Sequence, residues 1–178
     1  MQVIHFDILS STQDYAFSII TKDTIHEDIL IIAGIQTDGR GRLKQRKWVS
    51  DYGNFHGSFV INIEKIGIGI DNVSILNEFV MHSVFSFLNN IINNNALKIK
   101  LPNDIYYNNK KLAGVLIEVM YPYAIIGIGI NVYNSPIDTA TSLCNIINND
   151  DIIFDQKYGL SEKYCYKLYK ELTQNLLS

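Results

Sequence analysis

A chain of 178 residues suits one domain with a substantial core, and its 47% hydrophobic and 19% charged residues exclude a disordered polypeptide. A net charge of −3 argues against a polyanionic partner such as nucleic acid. Cys144 and Cys165 stand at no metal-ligand spacing, so they read as reduced thiols and no metal site is expected. No apolar run reaches membrane-spanning length, and the N-terminus begins directly as a strand. The expectation is a soluble cytoplasmic protein that contacts no membrane.

In chain order, Val3–Ile8 has the β-rich look of a strand. Ser10-Ser11-Thr12 then offers side-chain oxygens to cap a helix running to about Ile20. Asp28–Ile35 is continuously apolar, as a strand buried on both faces would be. Asn54–Ile63 reads as another strand. Asp71 is placed to cap a long helix whose Leu76, Val80, Val84 and Leu88 fall on one stripe. Ile75 and Ile91-Ile92 extend that stripe. Four β segments follow: Leu97–Leu101, Asp104–Tyr107, Lys111–Met120 and Ala124–Val132. Asn108-Asn109 supplies a tight turn because Asn tolerates positive φ. A polar loop to about Gly159 precedes a helix capped by Ser161, with Cys165, Leu168, Leu172 and Leu176 inward. The Asn-rich patches Asn93–Asn95 and Asn148-Asn149 read as loops. Strands joined by hairpins, with long helices between, predict an α+β fold: a mixed, largely antiparallel sheet with helices on one face.

The chemistry concentrates first in Gln36–Trp48, which holds five of the 15 Lys+Arg residues. Gly39 and Gly41 allow the backbone to approach an anion closely. Arg40 and Arg42 present planar forks suited to phosphate or carboxylate. Trp48, the only tryptophan, offers a flat surface for a base. A solvated basic loop is the plain alternative, but such a loop has no need of the interleaved glycines. Lys100-Leu101-Pro102-Asn103-Asp104 presents an amide and a carboxylate together, although Asx residues after proline more often cap turns. Lys110–Val115 opens a strand with lysine, and Gly127-Ile128-Gly129-Ile130-Asn131 ends one in an amide. Glycine within a strand marks a bulge or a close approach. A Rossmann reading fails because Val132 stands where the third glycine belongs.

Together these segments resemble the biotin–protein ligase family. The resemblance rests on Gly39-Arg40-Gly41-Arg42…Trp48-x-Ser50, Lys100-x-Pro102-Asn103-Asp104, Lys111-Leu112-Ala113-Gly114-x-Leu116-x-Glu118 and Gly127-x-Gly129-Ile130-Asn131-Val132. Ser11-Thr12-Gln13 resembles that family's Ser-Thr-Asn segment. The matches follow the family's order and span nearly the whole chain. Departures are Leu101 where tryptophan is usual, Gln13 for Asn, and one extra residue between Arg42 and Trp48.

The resemblance implies the fold of class II aminoacyl-tRNA synthetases and biotin synthetases. It implies residues 1–178 as one catalytic domain, with neither an N-terminal DNA-binding domain nor a C-terminal β-domain. The implied reaction joins biotin and ATP, carried with Mg2+, into biotinyl-5'-AMP. The biotinyl group then passes to a lysine of a biotin carboxyl carrier domain. Biotin and ATP are substrates, with no permanently bound cofactor; homodimerisation stays open. By the same resemblance, Arg40, Arg42, Lys111 and Asp104 are catalytic. Ser11, Thr12, Gln13, Gln36, Gly41 and Gly114 join Arg40, Arg42 and Lys111 in binding biotin. Trp48, Asn103 and Asn131 contact ATP together with Arg40, Arg42 and Lys111. The segment from Gln36 to about Tyr52 is expected to close over the adenylate. Two alternatives stand beside this reading: a lipoate or octanoate ligase of the same fold, and a non-catalytic nucleic-acid-binding module using residues 40–47.

Overall fold

A computed structural model describes residues 1–22, 25–42, 47–147 and 154–174. Strand β1 (Gln2–Leu9) leads through α1 (Thr12–Lys22) to β2 (Ile29–Gln36), which pairs with β1 in parallel. Every other strand pairing is antiparallel: β3 (Phe55–Asn62), β4 (Leu97–Lys100), β5 (Asp104–Tyr107), β6 (Lys110–Met120) and β7 (Tyr123–Ile130). The seven strands lie in the order β1-β2-β3-β7-β6-β5-β4. The β5–β6 turn uses left-handed Asn108 and Asn109, at φ 46° and 65°.

Helices cover both faces of the sheet rather than one. Along β2, Leu30 and Ile32 point into the main core, while Ile29 and Ile31 point the other way, against α1. The main core is built on α2 (Leu76–Ile92) and α4 (Glu162–Gln174), through Val80, Val84 and Leu88, and Leu168 and Leu172. On the opposite face α1 buries Ala16 against Ile31, Val60 and Ile125. The continuously apolar β2 reflects this two-sided burial, which single-sided packing would not require.

Asp71 does not cap α2. The chain enters that helix through a 3-10 turn, Ile70–Ile75, with Gly69 ahead of it, and Ile75 is exposed. The stretch expected as a polar loop holds a short α3 (Leu143–Ile146) and the β8–β9 ribbon (Phe154–Asp155 and Gly159–Leu160). The Asn148-Asn149 patch, Leu176 and the additional residue of the basic loop lie outside the described residues. No helix among the described residues is long and apolar enough to cross a membrane.

Candidate active site

Helix α1 covers only part of its sheet face. The rest is paved by Ser58 on β3, Gly127 and Gly129 on β7, and Gly114 on β6, since Ser58 pairs with Gly127 and Gly114 with Gly129. Over this floor lies the chain leaving β2. Its backbone is tied down where Thr37 and Asp38 donate to the carbonyls of Leu9 and Ser10, at 2.9 and 2.8 Å.

At the inner end, the α1 N-terminus, β2 and β3 build a buried polar niche. Ser11 Oγ accepts from the Asp14 amide at 3.3 Å, capping α1. Gln36 Oε1 accepts from both the amide and the hydroxyl of Thr12, at 2.8 and 3.1 Å. Ser58 Oγ lies 2.8 Å from Thr12 Oγ1 and 3.0 Å from Gln13 Oε1, and the Gln13 amide donates to the Ile125 carbonyl at 3.2 Å. A side chain on residue 127 would meet Gln13 Oε1 at 2.6 Å, so glycine there makes room for the amide. This network is held rigid before any ligand arrives, and its hydroxyls and amides are neutral.

Trp48 and Lys111 sit at the junction of three cavities. The first, about 60 Å3, contains the polar niche together with Arg40, Gly41 and Arg42. The second, about 260 Å3, adds Pro102, Asn103 and Asp104. The third, about 80 Å3, lies between Trp48 and Asn131, Pro136, Ile137 and Ala140. Lys111 Nζ is 2.6 Å from Asp104 Oδ1 and 5.3 Å from the centre of the Trp48 ring. The indole rests on glycine: a Cβ at residue 129 would fall 2.4 Å from Trp48 Cζ2, and one at residue 114 would fall 3.0 Å from Cζ3. The buried indole N–H has no acceptor among the described residues.

The two asparagines spend their amides on backbone. Asn103 donates to the Val115 carbonyl at 3.2 Å, and Asn131 donates to those of Thr141 and Lys111, at 3.0 and 3.4 Å. Arg42 lines the first two cavities and has no carboxylate partner among the described residues. Arg40 is already engaged: Nη1 meets Asp14 Oδ1 at 2.6 Å, and Nη2 meets Glu118 Oε1 at 2.6 Å. Glu118, and then Asp14, raise the pKa of this guanidinium further, against the opposing effect of burial. The structure therefore gathers every site residue named from the sequence around one cleft.

The sequence profile of the biotin/lipoate A/B protein ligase family matches residues 5–131. The chain belongs to this family. It is 34% identical to the bifunctional ligase/repressor BirA of Bacillus subtilis over 149 residues, 81% of this chain and 44% of that protein. It is 29% identical to the biotin--[acetyl-CoA-carboxylase] ligase of Paracoccus denitrificans, over 60% of this chain and 45% of that one. The chain thus spans about half the length of these family members. Among solved structures, the Aquifex aeolicus biotin protein ligase in complex with biotin and ATP superposes with a TM-score of 0.76 at 31% identity, over 99% of this chain and 70% of that chain. The Leishmania major ligase bound to biotinyl-5-AMP superposes at 0.79, covering 99% and 75%; at 23% identity it shows the shared fold.

Within this family fold, four residues join the site that the motifs did not single out for a role. Ser58 was hidden in an apolar strand, where its even position between His56 and Val60 was the available signal. Asp14 and Glu118 belong to different elements and meet only through Arg40. His56 is buried beside the Trp48 ring, 6.4 Å between centres, and its Nδ1 lies 3.2 Å from Ser50 Oγ, which accepts from the Gln36 amide. Burial lowers the His56 pKa to about 4, so the ring is neutral at ordinary pH.

Proposed function

We propose that this chain activates biotin with ATP to biotinyl-5'-AMP and transfers the biotinyl group to a lysine of a biotin carboxyl carrier domain. One observation carries the reading: a rigid, neutral polar niche opens directly onto a lysine, an arginine with no carboxylate partner among the described residues, and the only tryptophan. Hydroxyls and amides of Thr12, Gln13, Gln36 and Ser58 suit a neutral ureido group, whose own donors and acceptors extend their network; a lipoyl dithiolane offers it neither. The acid end of biotin then lies toward Lys111 and Arg42. The third cavity, apolar and bounded by Trp48, suits an adenine ring. Mg2+ would arrive with the ATP phosphates.

In the first step a biotin carboxylate oxygen attacks the α-phosphorus and pyrophosphate leaves. Negative groups converge there, and Lys111 and Arg42 offset their repulsion. Positioning supplies the rest of the acceleration. In the second step the acceptor amine attacks the carbonyl carbon of the mixed anhydride and AMP leaves. Asp104 takes the amine proton once Lys111 has turned from it to the adenylate phosphate. The acceptor reaches this point through the second cavity, past Pro102 and Asn103. Such an enzyme acts in the cytoplasm, on the carrier domain of a carboxylase such as the acetyl-CoA carboxylase named for the Paracoccus relative.

The test is streptavidin detection of a carrier domain incubated with this chain, biotin and ATP, with parallel reactions containing lipoate. Biotinylation that depends on ATP and on this chain is expected. Labelling by lipoate alone would move the substrate class to the other branch of the family.

A further inference from the structure

The proposed reaction leaves the carboxylates of Asp14 and Glu118 unused, yet both converge on Arg40. We propose that Asp14 and Glu118 are positioning residues that bolt the Arg40 guanidinium between α1 and β6 and so hold the Gly39–Arg42 backbone over the mouth of the biotin pocket; as a statement about biotin, this rests on the function proposed above.

Charge comes first. One guanidinium faces two carboxylates, so this corner is net negative with Arg40 included. Its side chain is committed, and the task of meeting substrate anions falls to Arg42 and Lys111. Geometry comes second. Glu118 takes both terminal nitrogens of Arg40, at 2.6 and 3.2 Å, a bidentate grip that lysine cannot reproduce. Asp14 adds its 2.6 Å contact from the first turn of α1, where the helix N-terminus favours a carboxylate. The two carboxylates therefore come from different elements and join them through Arg40.

Connectivity comes third. The near end of the segment is fixed by the backbone bonds of Thr37 and Asp38, and Gly39 accepts from the Trp48 amide at 2.9 Å. Beyond Gly39, Arg40 forms a backbone bridge to Lys47, and its side chain ties the segment to α1 and β6. A lone exposed ion pair contributes little to stability. A bidentate, three-member network that fixes a glycine-flanked segment has more to hold. The second glycine, Gly41, lines the same pocket. Arg40 thus serves through its side chain as an anchor and through its backbone as part of the pocket wall.

The experiment compares wild type with Glu118→Gln, the double variant Asp14→Asn/Glu118→Gln, and Arg40→Lys. Hydrogen exchange of the amides in residues 37–42 is read in the unliganded proteins. Biotin dissociation is read by stopped flow from the Trp48 emission. Exchange should quicken about fivefold in Glu118→Gln and further in the double variant, with biotin dissociation accelerated to a similar degree. Raising ionic strength should move wild type toward the variants and leave the double variant unchanged, which a purely packing role would not produce. Wild-type exchange in a folded Glu118→Gln protein overturns the bolt. Faster exchange with unchanged biotin dissociation overturns its role at the pocket. If wild type gives no response to biotin, the biotin reading fails while the exchange data still decide the bolt. If Glu118→Gln does not fold, Arg40→Lys, which keeps the charge and loses the fork, decides in its place.

Discussion

Lys111 borders all three cavities, so one flexible point charge can serve both a carboxylate and a phosphate. Replacing it with alanine removes that charge and leaves Asp104 without its 2.6 Å partner. Lys111→Ala should lower biotin-dependent pyrophosphate–ATP exchange by about a hundredfold or more. Exchange near the wild-type rate would remove Lys111 from the chemistry. Asp104→Asn tests the second step, since it leaves an amide where the proton acceptor stood. Single-turnover transfer from preformed adenylate should slow about tenfold more than exchange does. An equal loss in both would place Asp104 with nucleotide binding or with the local fold.

At the scale of elements, the β6–β7 pair shapes the site through what it lacks. Gly114 and Gly129 face each other across the ladder, and the indole of Trp48 occupies the space their side chains would fill. A methyl at residue 129 sits too close to a fixed ring, so Gly129→Ala should expel the indole while the strand itself tolerates alanine. The expected result is a red-shifted tryptophan emission and about tenfold weaker ATP binding, with a melting temperature near wild type. Much of this element-level detail was legible in the sequence. The turn residues Asn108 and Asn109 set the β5–β6 hairpin, and that hairpin brings Asp104 level with Gly114 beside Lys111. The glycines of β7 signalled a close approach, though not that a tryptophan from 81 positions earlier would make it. The Arg40–Glu118 pair escaped for a related reason: 78 residues separate them, and no local periodicity encodes a side-chain contact at that range. Asp71 is a misleading signal because a capping residue type is local, whereas here Asp71 falls inside the first turn of the 3-10 segment that leads into α2.

The whole molecule divides its labour between the two faces of one sheet. One face, under α2 and α4, holds the main apolar core; the other, partly covered by α1, carries the cleft. His56 is where the second face couples to global stability. Its ring is 1% exposed, next to Trp48 and bonded to Ser50, and burial lowers its pKa from 6.5 to about 4. The unfolded chain protonates this imidazole near pH 6.5, whereas the folded chain resists until about pH 4. Between those values the unfolded state binds more protons, so folding stability must fall as pH falls. Above pH 6.5 both states hold a neutral ring and the dependence vanishes. The loss should reach about 2–3 kcal/mol by pH 4.5. Denaturant unfolding at a series of pH values measures it directly, with His56→Gln as the control because glutamine does not titrate. Wild type should weaken steadily from pH 6.5 to 4.5 while the variant stays flat until the carboxylates begin to protonate. Matching slopes in the two proteins would show that His56 is as easily protonated folded as unfolded, and that the packing of Trp48 against it does not depend on a neutral ring.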